Sequence, residues 1–500
     1  MVLSQTLALL LALSLVPVEP PSEAIQDTTN ERAPDDGELT KDRKAPDYDG
    51  REPDYAPSGA VWIPRVVLFP FYAVNQYLLR VPLAVTVRFF DEKNVLTRLK
   101  SALTFRNGTI GLFPAFAVAN GQRPGFGVTG YANDLFVEWH AVTMTATTDF
   151  SHNVMAVMLN SFHLSRGVVL NLRTSVEKRN DLVFYGTGRD TRESNQRRFS
   201  RDRPVGALEL VIGSAARASG QASNGGSIGS SNHDLGANTS SSGVAGKLPD
   251  GNHLGMRLAV EFTNVALDCS ERSIDICGPD HLKGTADDTY GMGKTGEAAY
   301  LYSGYALTRF KLLVSADSRP ATKPEATGVR FDAFGRYGKG LGERSRDVDF
   351  VRYGAELSGF LDVSGGRRRV LAANLYLEML DIINHGQVPF PELIALGGPE
   401  GMRGFLRARF QGRSATVGTL EYRWPIWTLL DASLFYEMGN AFDTHLKDFT
   451  VKYLFGSYGL AFRSNFSRDV SAQVLFAVGT ERWSVAPERF QFAIATNVGF

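Results

Sequence analysis

The residues best suited to charge chemistry lie between positions 396 and 427. A glycine-rich loop carries Arg403, Gly404 and Phe405, and the segment after it places Glu421 and Arg423 two residues apart. In an extended strand such a pair points to the same face. A guanidinium and a carboxylate form a charge-assisted hydrogen bond, which anchors one chain segment to another. These residue types therefore indicate a structural clasp and not a catalytic centre.

The sequence contains no His-Glu-x-x-His and no phosphate-cradling loop. Its Gly-x-Ser-x-Gly match, GGSIG at 225–229, lies in a low-complexity Gly/Ser stretch and lacks the strand and helix that flank a nucleophilic serine. Ser161 and His163 would share a strand face, but nothing else marks them as a nucleophile and base. Asp280, Asp287 and Asp288 lack the spacing of a calcium loop and are expected on a solvated surface. We therefore predict that the protein is not an enzyme and holds no metal or cofactor.

The strand that carries Glu421 has a second face made only of large apolar residues, Leu420, Tyr422 and Trp424. A strand that is polar on one side and apolar on the other suits a wall between water and lipid. Lys plus Arg equals Asp plus Glu at 53 each, so no basic excess indicates nucleic-acid binding. No apolar run reaches the length of about 18 residues that a transmembrane helix needs. The chain is therefore a candidate membrane β-barrel.

The N-terminal part of the chain divides into three predicted segments. Residues 1–24 have the apolar stretch and small cleavage-site residues of a secretory signal peptide. Residues 25–60 are rich in Pro and charge, and we expect a disordered linker. Residues 61–107 show apolar residues at helical spacing, which favours an amphipathic helical segment on a membrane face or inside a lumen. The alternative is a short helix followed by a first strand.

From residue 108 to residue 500 the dominant signal is alternation with a period of two. About sixteen such segments, separated by turns, predict an all-β, antiparallel, transmembrane outer-membrane barrel. A soluble β-sandwich also alternates, but aromatic residues near strand ends and the terminal Phe500 favour the barrel. Residues 214–252 form a low-complexity insert rich in Gly, Ser and Asn.

The two cysteines, Cys269 and Cys277, lie close together in a polar segment and are expected to form a disulfide in an exported chain. If the first strand runs outward, the segment with the cysteines and the glycine-rich loop both lie outside the cell. The insert at 214–252 then falls on the periplasmic side.

The C-terminal part of the chain carries a resemblance to a known family. The runs are GGPEGMRGF, GTLEYRWPI and LFYEMGNAFD, followed by a terminal aromatic residue. They resemble the bacterial surface antigen barrel of the BamA/TamA-type outer-membrane assembly and translocation superfamily. The resemblance is specific over residues 372–500 and looser over 61–371. Residues 184–188, FYGTG, also resemble a motif of that family.

The resemblance implies that the loop with Arg403 folds into the lumen after the eleventh of sixteen strands. Arg403 would then pair with an acidic residue on the thirteenth strand, where Glu437 stands in place of the family's Asp. Alternation independently places Glu437 on the inward face of its strand. Glu421 is the competing partner, and a solvated Arg403 is the remaining alternative. Gly404 would permit the turn, and Phe405 would pack into the wall.

The same resemblance implies a function. By this resemblance, the barrel would aid insertion or translocation of proteins or lipids at the bacterial outer membrane. The chain is similar to short members without periplasmic POTRA domains. Its expected partners are outer-membrane lipid, client proteins, and the barrel assembly machinery that inserts the chain itself, with no nucleic acid. The alternatives are a transport pore plugged by the N-terminal helix and a structural surface antigen.

Overall fold

The computed structural model describes the chain from residue 103 to residue 496 with gaps. The described ranges are 103–106, 109–119, 124–134, 139–150, 152–165, 167–213, 253–269, 304–319, 327–364, 369–398, 401–427, 430–464, 472–481 and 487–496. The predicted signal peptide, linker and low-complexity insert, most of the predicted helical segment, Cys277 and Phe500 lie outside these ranges.

The described residues form one 17-stranded sheet, in which a two-residue strand accompanies sixteen longer ones. The strands are β1 (Thr104–Phe105), β2 (Ile110–Ala119), β3 (Gly125–Asn133), β4 (His140–Thr148), β5 (Val154–Ser165), β6 (Val168–Phe184), β7 (Arg197–Gly213), β8 (His253–Cys269), β9 (Tyr305–Asp317), β10 (Gly328–Gly340), β11 (Asp349–Asp362), β12 (Val370–Ile382), β15 (Ser414–Trp427), β16 (Leu430–Phe442), β17 (Phe455–Ser464), β18 (Ala472–Thr480) and β19 (Pro487–Thr496). A separate hairpin consists of β13 (Ile394–Leu396) and β14 (Phe410–Gly412). The prediction of an all-β antiparallel fold with about sixteen barrel strands is confirmed.

Strand structure begins slightly earlier than the boundary expected at residue 108. Thr104 and Phe105, at the end of the predicted helical segment, pair with β2 through Gly111 and Ile110. Among the described residues no helix is long and apolar enough to cross a membrane.

Pairing follows chain order around the sheet and returns to its start. β12 pairs with β15 across the intervening hairpin, and β19 pairs with β2. Within the described ranges the last pairing consists only of Ala493 with Ala119 and Ile494 with Val118. Neighbouring strands elsewhere, such as β11 and β12, are paired along their whole length. We call the contact between β19 and β2 the seam.

The two faces of the strands differ in chemistry as the alternation predicts. On β16, Leu434 and Tyr436 are exposed, whereas Phe435 and Glu437 are buried. The same pattern gives an outer surface of large apolar side chains and an inner surface rich in paired charges. The exposed apolar residues include Leu112, Leu172, Leu208, Phe262, Phe310, Leu357, Leu375 and Leu420. The outer face thus matches lipid, and the inner face matches a polar lumen.

The connections between strands are unequal at the two ends of the sheet. Because consecutive strands are antiparallel, successive connections lie alternately at the two ends of the sheet. The longer described connections all lie at the same end, which we call the loop end. They span residues 185–196, 341–348, 383–413 and 443–454. The insert at 214–252 joins β7 to β8 at the opposite end.

A substitution at Leu434 tests the assignment of the outer face. Leu434 is 54% exposed near the middle of β16. Leu434→Arg places a charge in lipid and is expected to destabilise the folded protein by about 2–4 kcal/mol. Leu434→Val, the matched control, keeps an apolar side chain and is expected to cost less than about 1 kcal/mol. Urea unfolding in lipid vesicles measures both, and an equal effect of Arg and Val would contradict the assignment.

Candidate functional site in the barrel lumen

The connection between β12 and β15, residues 383–413, folds back into the interior of the barrel, and we call it the lumen loop. It contains a 3-10 turn, Phe390–Glu392, and the hairpin β13–β14, in which Ile394 pairs with Gly412. Gly397 and Gly398 adopt φ of 113° and 95°, a backbone region open to glycine. The apolar residues of the loop are buried against the inner wall at the loop end: Phe390, Leu393, Ile394, Leu396, Met402, Phe405, Leu406 and Phe410.

Arg403 is bound by both of the carboxylates that sequence reasoning named. Its Nε donates to Glu437 Oε1 at 2.7 Å, and its backbone N–H donates to Glu437 Oε2 at 2.6 Å. Its Nη1 donates to Glu421 Oε2 at 3.2 Å. Arg403, Glu421 and Glu437 are 3%, 0% and 2% exposed. Glu437 and Glu421 therefore act together, and not as alternative partners.

The longer side chain of Glu437 suits this arrangement. One carboxylate oxygen reaches the loop backbone and the other reaches the guanidinium, so Glu437 holds both parts of Arg403. The guanidinium also stacks on Phe435, with its carbon 3.6 Å from the ring centroid. Burial alone would lower the pKa of Arg403, but Glu437 and Glu421 raise it above its usual value. Arg403 is therefore a permanent cation.

Two further arginines complete the cluster around Glu421. Arg423 Nε lies 2.9 Å from Glu421 Oε1, and Arg463 Nη2 lies 3.2 Å from the same oxygen. A fully buried carboxylate needs such compensation, because an unpaired buried charge is strongly unfavourable. Sequence reasoning missed Arg463 as a site residue. The alternation of β17, which places Arg463 on the same face as Gly459 and Ala461, is the signal that could have found it.

Gly404 lies in a turn closed by a hydrogen bond from the Phe405 N–H to the Met402 carbonyl at 3.0 Å. Its φ is not among the positive values of the loop, so no left-handed turn requires glycine there. Instead, a Cβ at Gly404 would lie 2.4 Å from backbone atoms of Val478 and Gly479 on β18. The backbone N–H of Gly404 donates to Ser457 Oγ on β17 at 2.7 Å. Glycine is needed because the loop backbone lies directly against the wall.

Phe405 packs into an aromatic group at the loop end. Its ring centroid lies 4.9 Å from that of Phe410 and 5.9 Å from that of Phe455 at the start of β17. Arg403, Gly404 and Phe405 thus engage the inner faces of β15, β16, β17 and β18 in three consecutive residues.

The FYGTG segment after β6 contacts the lumen loop from the other side. Gly188 donates a backbone hydrogen bond to the carbonyl of Gln411 at 2.8 Å. Arg409, which sequence reasoning did not single out, donates to the hydroxyl and the carbonyl of Thr191, each at 2.9 Å. The loop is therefore joined to a neighbouring connection as well as to the wall.

The remaining predicted residues lie apart from the lumen loop. Cys269, the last residue of β8, is disulfide-bonded, whereas Cys277 lies outside the described residues. Ser161 is buried on β5. Within the described part of the chain, no group of three or more His, Cys, Asp or Glu residues could hold a metal ion.

Comparisons with known proteins agree with this architecture. Residues 327–497 match the Omp85 superfamily domain. The structure is similar to a crystal structure of BamA from Haemophilus ducreyi lacking POTRA domains 1–3, with a TM-score of 0.50 and 12% identity. That match covers 78% of this chain and 70% of the BamA chain. A comparison with curated proteins found no match.

Two CdiB structures are more distant. CdiB from Acinetobacter baumannii gives a TM-score of 0.45 at 10% identity, covering 78% of this chain and 60% of that one. CdiB from Escherichia coli gives a TM-score of 0.48 at 11% identity, covering 79% and 64%. The chain thus spans less than two thirds of either CdiB chain.

Substitution of Gly404 tests the close approach of the lumen loop to β18. Gly404→Ala is expected to destabilise the protein by about 1–3 kcal/mol, because the new methyl group overlaps the wall backbone. Gly401→Ala is the matched control, since no described atom lies within 4 Å of the position of its Cβ. Urea unfolding of both variants in vesicles measures the difference. Equal stability of the two variants would contradict the placement of the loop.

Proposed function

We propose that the chain aids insertion or translocation of proteins at the outer membrane, since residues 327–497 match the Omp85 superfamily domain and the strands form a β-barrel. The proposal includes no catalytic step, metal or cofactor. The partners it names are the surrounding lipid and client proteins that cross or enter the membrane. The resemblance noted in the sequence supports the same function.

The single observation that carries the proposal is the short pairing at the seam. Strand edges with unpaired N–H and C=O groups bind further strands readily. Within the described ranges β2 and β19 share only the pairs at Ala119 and Val118. Among the described residues, separation of these strands therefore breaks the pairing at two positions, and it offers two edges to an incoming strand. A client strand would add to one of these edges while its apolar face enters lipid.

The lumen loop supports one side of this seam. Through Gly404 it contacts Ser457 on β17 and the backbone of Gly479 on β18, the strand next to β19. The wall from β15 to β18 is therefore braced from inside. In the proposed mechanism this wall stays rigid, and movement is confined to the pairing between β19 and β2.

A reversible lock across the seam tests the proposal. Ala119 and Ala493 are register partners, so Ala119→Cys with Ala493→Cys is expected to form a disulfide on oxidation. The assay measures folding of an eight-stranded outer-membrane protein into vesicles that contain the full chain. Oxidation is expected to abolish the acceleration of folding, and reduction is expected to restore it.

The control pair is Leu475→Cys with Ala493→Cys, which joins β18 to β19 beside the seam. Oxidation of this pair is expected to leave the acceleration unchanged. A locked seam that accelerates folding as well as the reduced protein would contradict the proposed mechanism. Ion conductance without any acceleration of folding would favour the transport pore, and neither activity would favour a structural surface antigen.

A further inference from the structure

The lumen loop meets the wall at a second charged position, Glu392, at the end of its 3-10 turn. Glu392 is 5% exposed and faces β9 and β11. Arg403 is bound by β15 and β16, and β12 separates β15 from β11. The two positions therefore belong to different parts of the wall.

Glu392 is bound through both its side chain and its backbone. Arg309 Nη2 donates to Glu392 Oε1 at 2.5 Å, and the hydroxyl of Tyr305 donates to the same oxygen at 2.8 Å. Arg352 Nη1 donates to the backbone carbonyl of Glu392 at 3.0 Å. Phe390, at the start of the same turn, packs on Phe184 with ring centroids 5.0 Å apart.

The wall around Glu392 carries several buried cations. Arg309 and Lys311 both pair with Glu261, and Arg352 pairs with Glu378. Arg336, which is also buried, attracts Glu392 as well, so Glu392 brings a negative charge to a wall position surrounded by cations. Since an uncompensated buried charge is costly, the wall favours an anion at the position that Glu392 occupies.

The charges at the two positions are opposite in sign. At Arg403 the loop presents a cation to the carboxylates of Glu421 and Glu437. At Glu392 the loop presents an anion to the guanidiniums of Arg309 and Arg352. Neither part of the loop could bind in the other's place, because like charges would meet.

We propose that Glu392 is a second positioning residue of the lumen loop, and that opposite charges at Glu392 and Arg403 set its orientation and register in the lumen. Between the two anchors, Ile394, Leu396 and Met402 are fully or nearly fully buried. The lumen loop is thus held by two charged anchors, with a buried apolar segment between them. Its release from the lumen requires both anchors to break.

The test measures the solvent accessibility of the lumen loop in the full chain in vesicles. Ala395→Cys places a reporter within β13, between the anchors, and a water-soluble maleimide reads its accessibility. The bonded Cys269 does not react. Glu392→Gln keeps the shape of the side chain and removes only the charge. Loss of a charged hydrogen bond is expected to raise the labelling rate roughly ten- to hundredfold.

A matched control and a second variant distinguish loss of the Glu392 anchor from general destabilisation of the protein. Glu343→Gln changes an exposed glutamate in another 3-10 turn at the loop end and is expected to leave the labelling rate unchanged. Tyr305→Phe removes the hydrogen bond from a hydroxyl to the charged Glu392 carboxylate and is expected to raise the rate roughly tenfold or more. Rates for Glu392→Gln and Tyr305→Phe that equal the rate for Glu343→Gln would overturn the proposal.

The pH dependence of stability gives an independent measurement. Burial alone would raise the pKa of Glu392, but the attraction of Arg309 and the hydrogen bond from Tyr305 lower it below its usual value. A lowered folded-state pKa stabilises the fold above the unfolded-state value of about 4.5, and the contribution disappears as pH falls. The charged or titratable groups facing Glu392, directly or through these partners, include Tyr305, Arg309, Lys311, Arg336, Arg352, Glu261 and Glu378.

The stability difference between the wild-type protein and Glu392→Gln is therefore expected to be constant near neutral pH and to shrink below about pH 4.5. Urea unfolding in vesicles at several pH values measures it. Glu343→Gln is expected to show no such change. A difference that is absent at neutral pH, or that persists unchanged into acid, would overturn the role of the Glu392 charge.

Discussion

Burial of the Arg403 guanidinium is the constraint on which the rest of the lumen depends. A cation that is 3% exposed needs carboxylates beside it, and Glu437 and Glu421 supply them from two adjacent strands. Glu421 in turn needs Arg423 and Arg463. The cluster thereby joins the lumen loop to three neighbouring strands and determines how closely Gly404 approaches the fourth.

This inner bracing contrasts with the pairing between β19 and β2, which in the described part of the chain consists of two residue pairs. The cluster and the aromatic contacts of Phe405 hold β15 to β18 from inside the lumen. A braced wall on one side of the seam, and a pairing of two positions among the described residues across it, favour local opening without loss of the barrel. The proposed function uses this difference, and the proposed anchor at Glu392 holds the lumen loop at a second position besides Arg403.

Alternation along single strands was enough to predict the fold and the inward face of Glu437. The polar face of β15 and the strand position of the Arg403 loop follow from the same local pattern. Contacts between distant segments could not be predicted in this way. The need for glycine at position 404 arises from backbone atoms of Val478 and Gly479, which are far along the chain. The role of Glu392 likewise depends on Arg309, whose position is set by strand pairing.

A double-mutant cycle between Arg403 and Glu437 tests the central claim most directly. The unfolding free energies of the wild-type protein, Arg403→Gln, Glu437→Gln and the double variant are measured by urea in vesicles at neutral pH. The account predicts a coupling energy of about 1–3 kcal/mol, because each single variant leaves a buried charge with fewer partners. Effects that add to within about 0.5 kcal/mol would show that the two side chains do not interact, and would contradict the account.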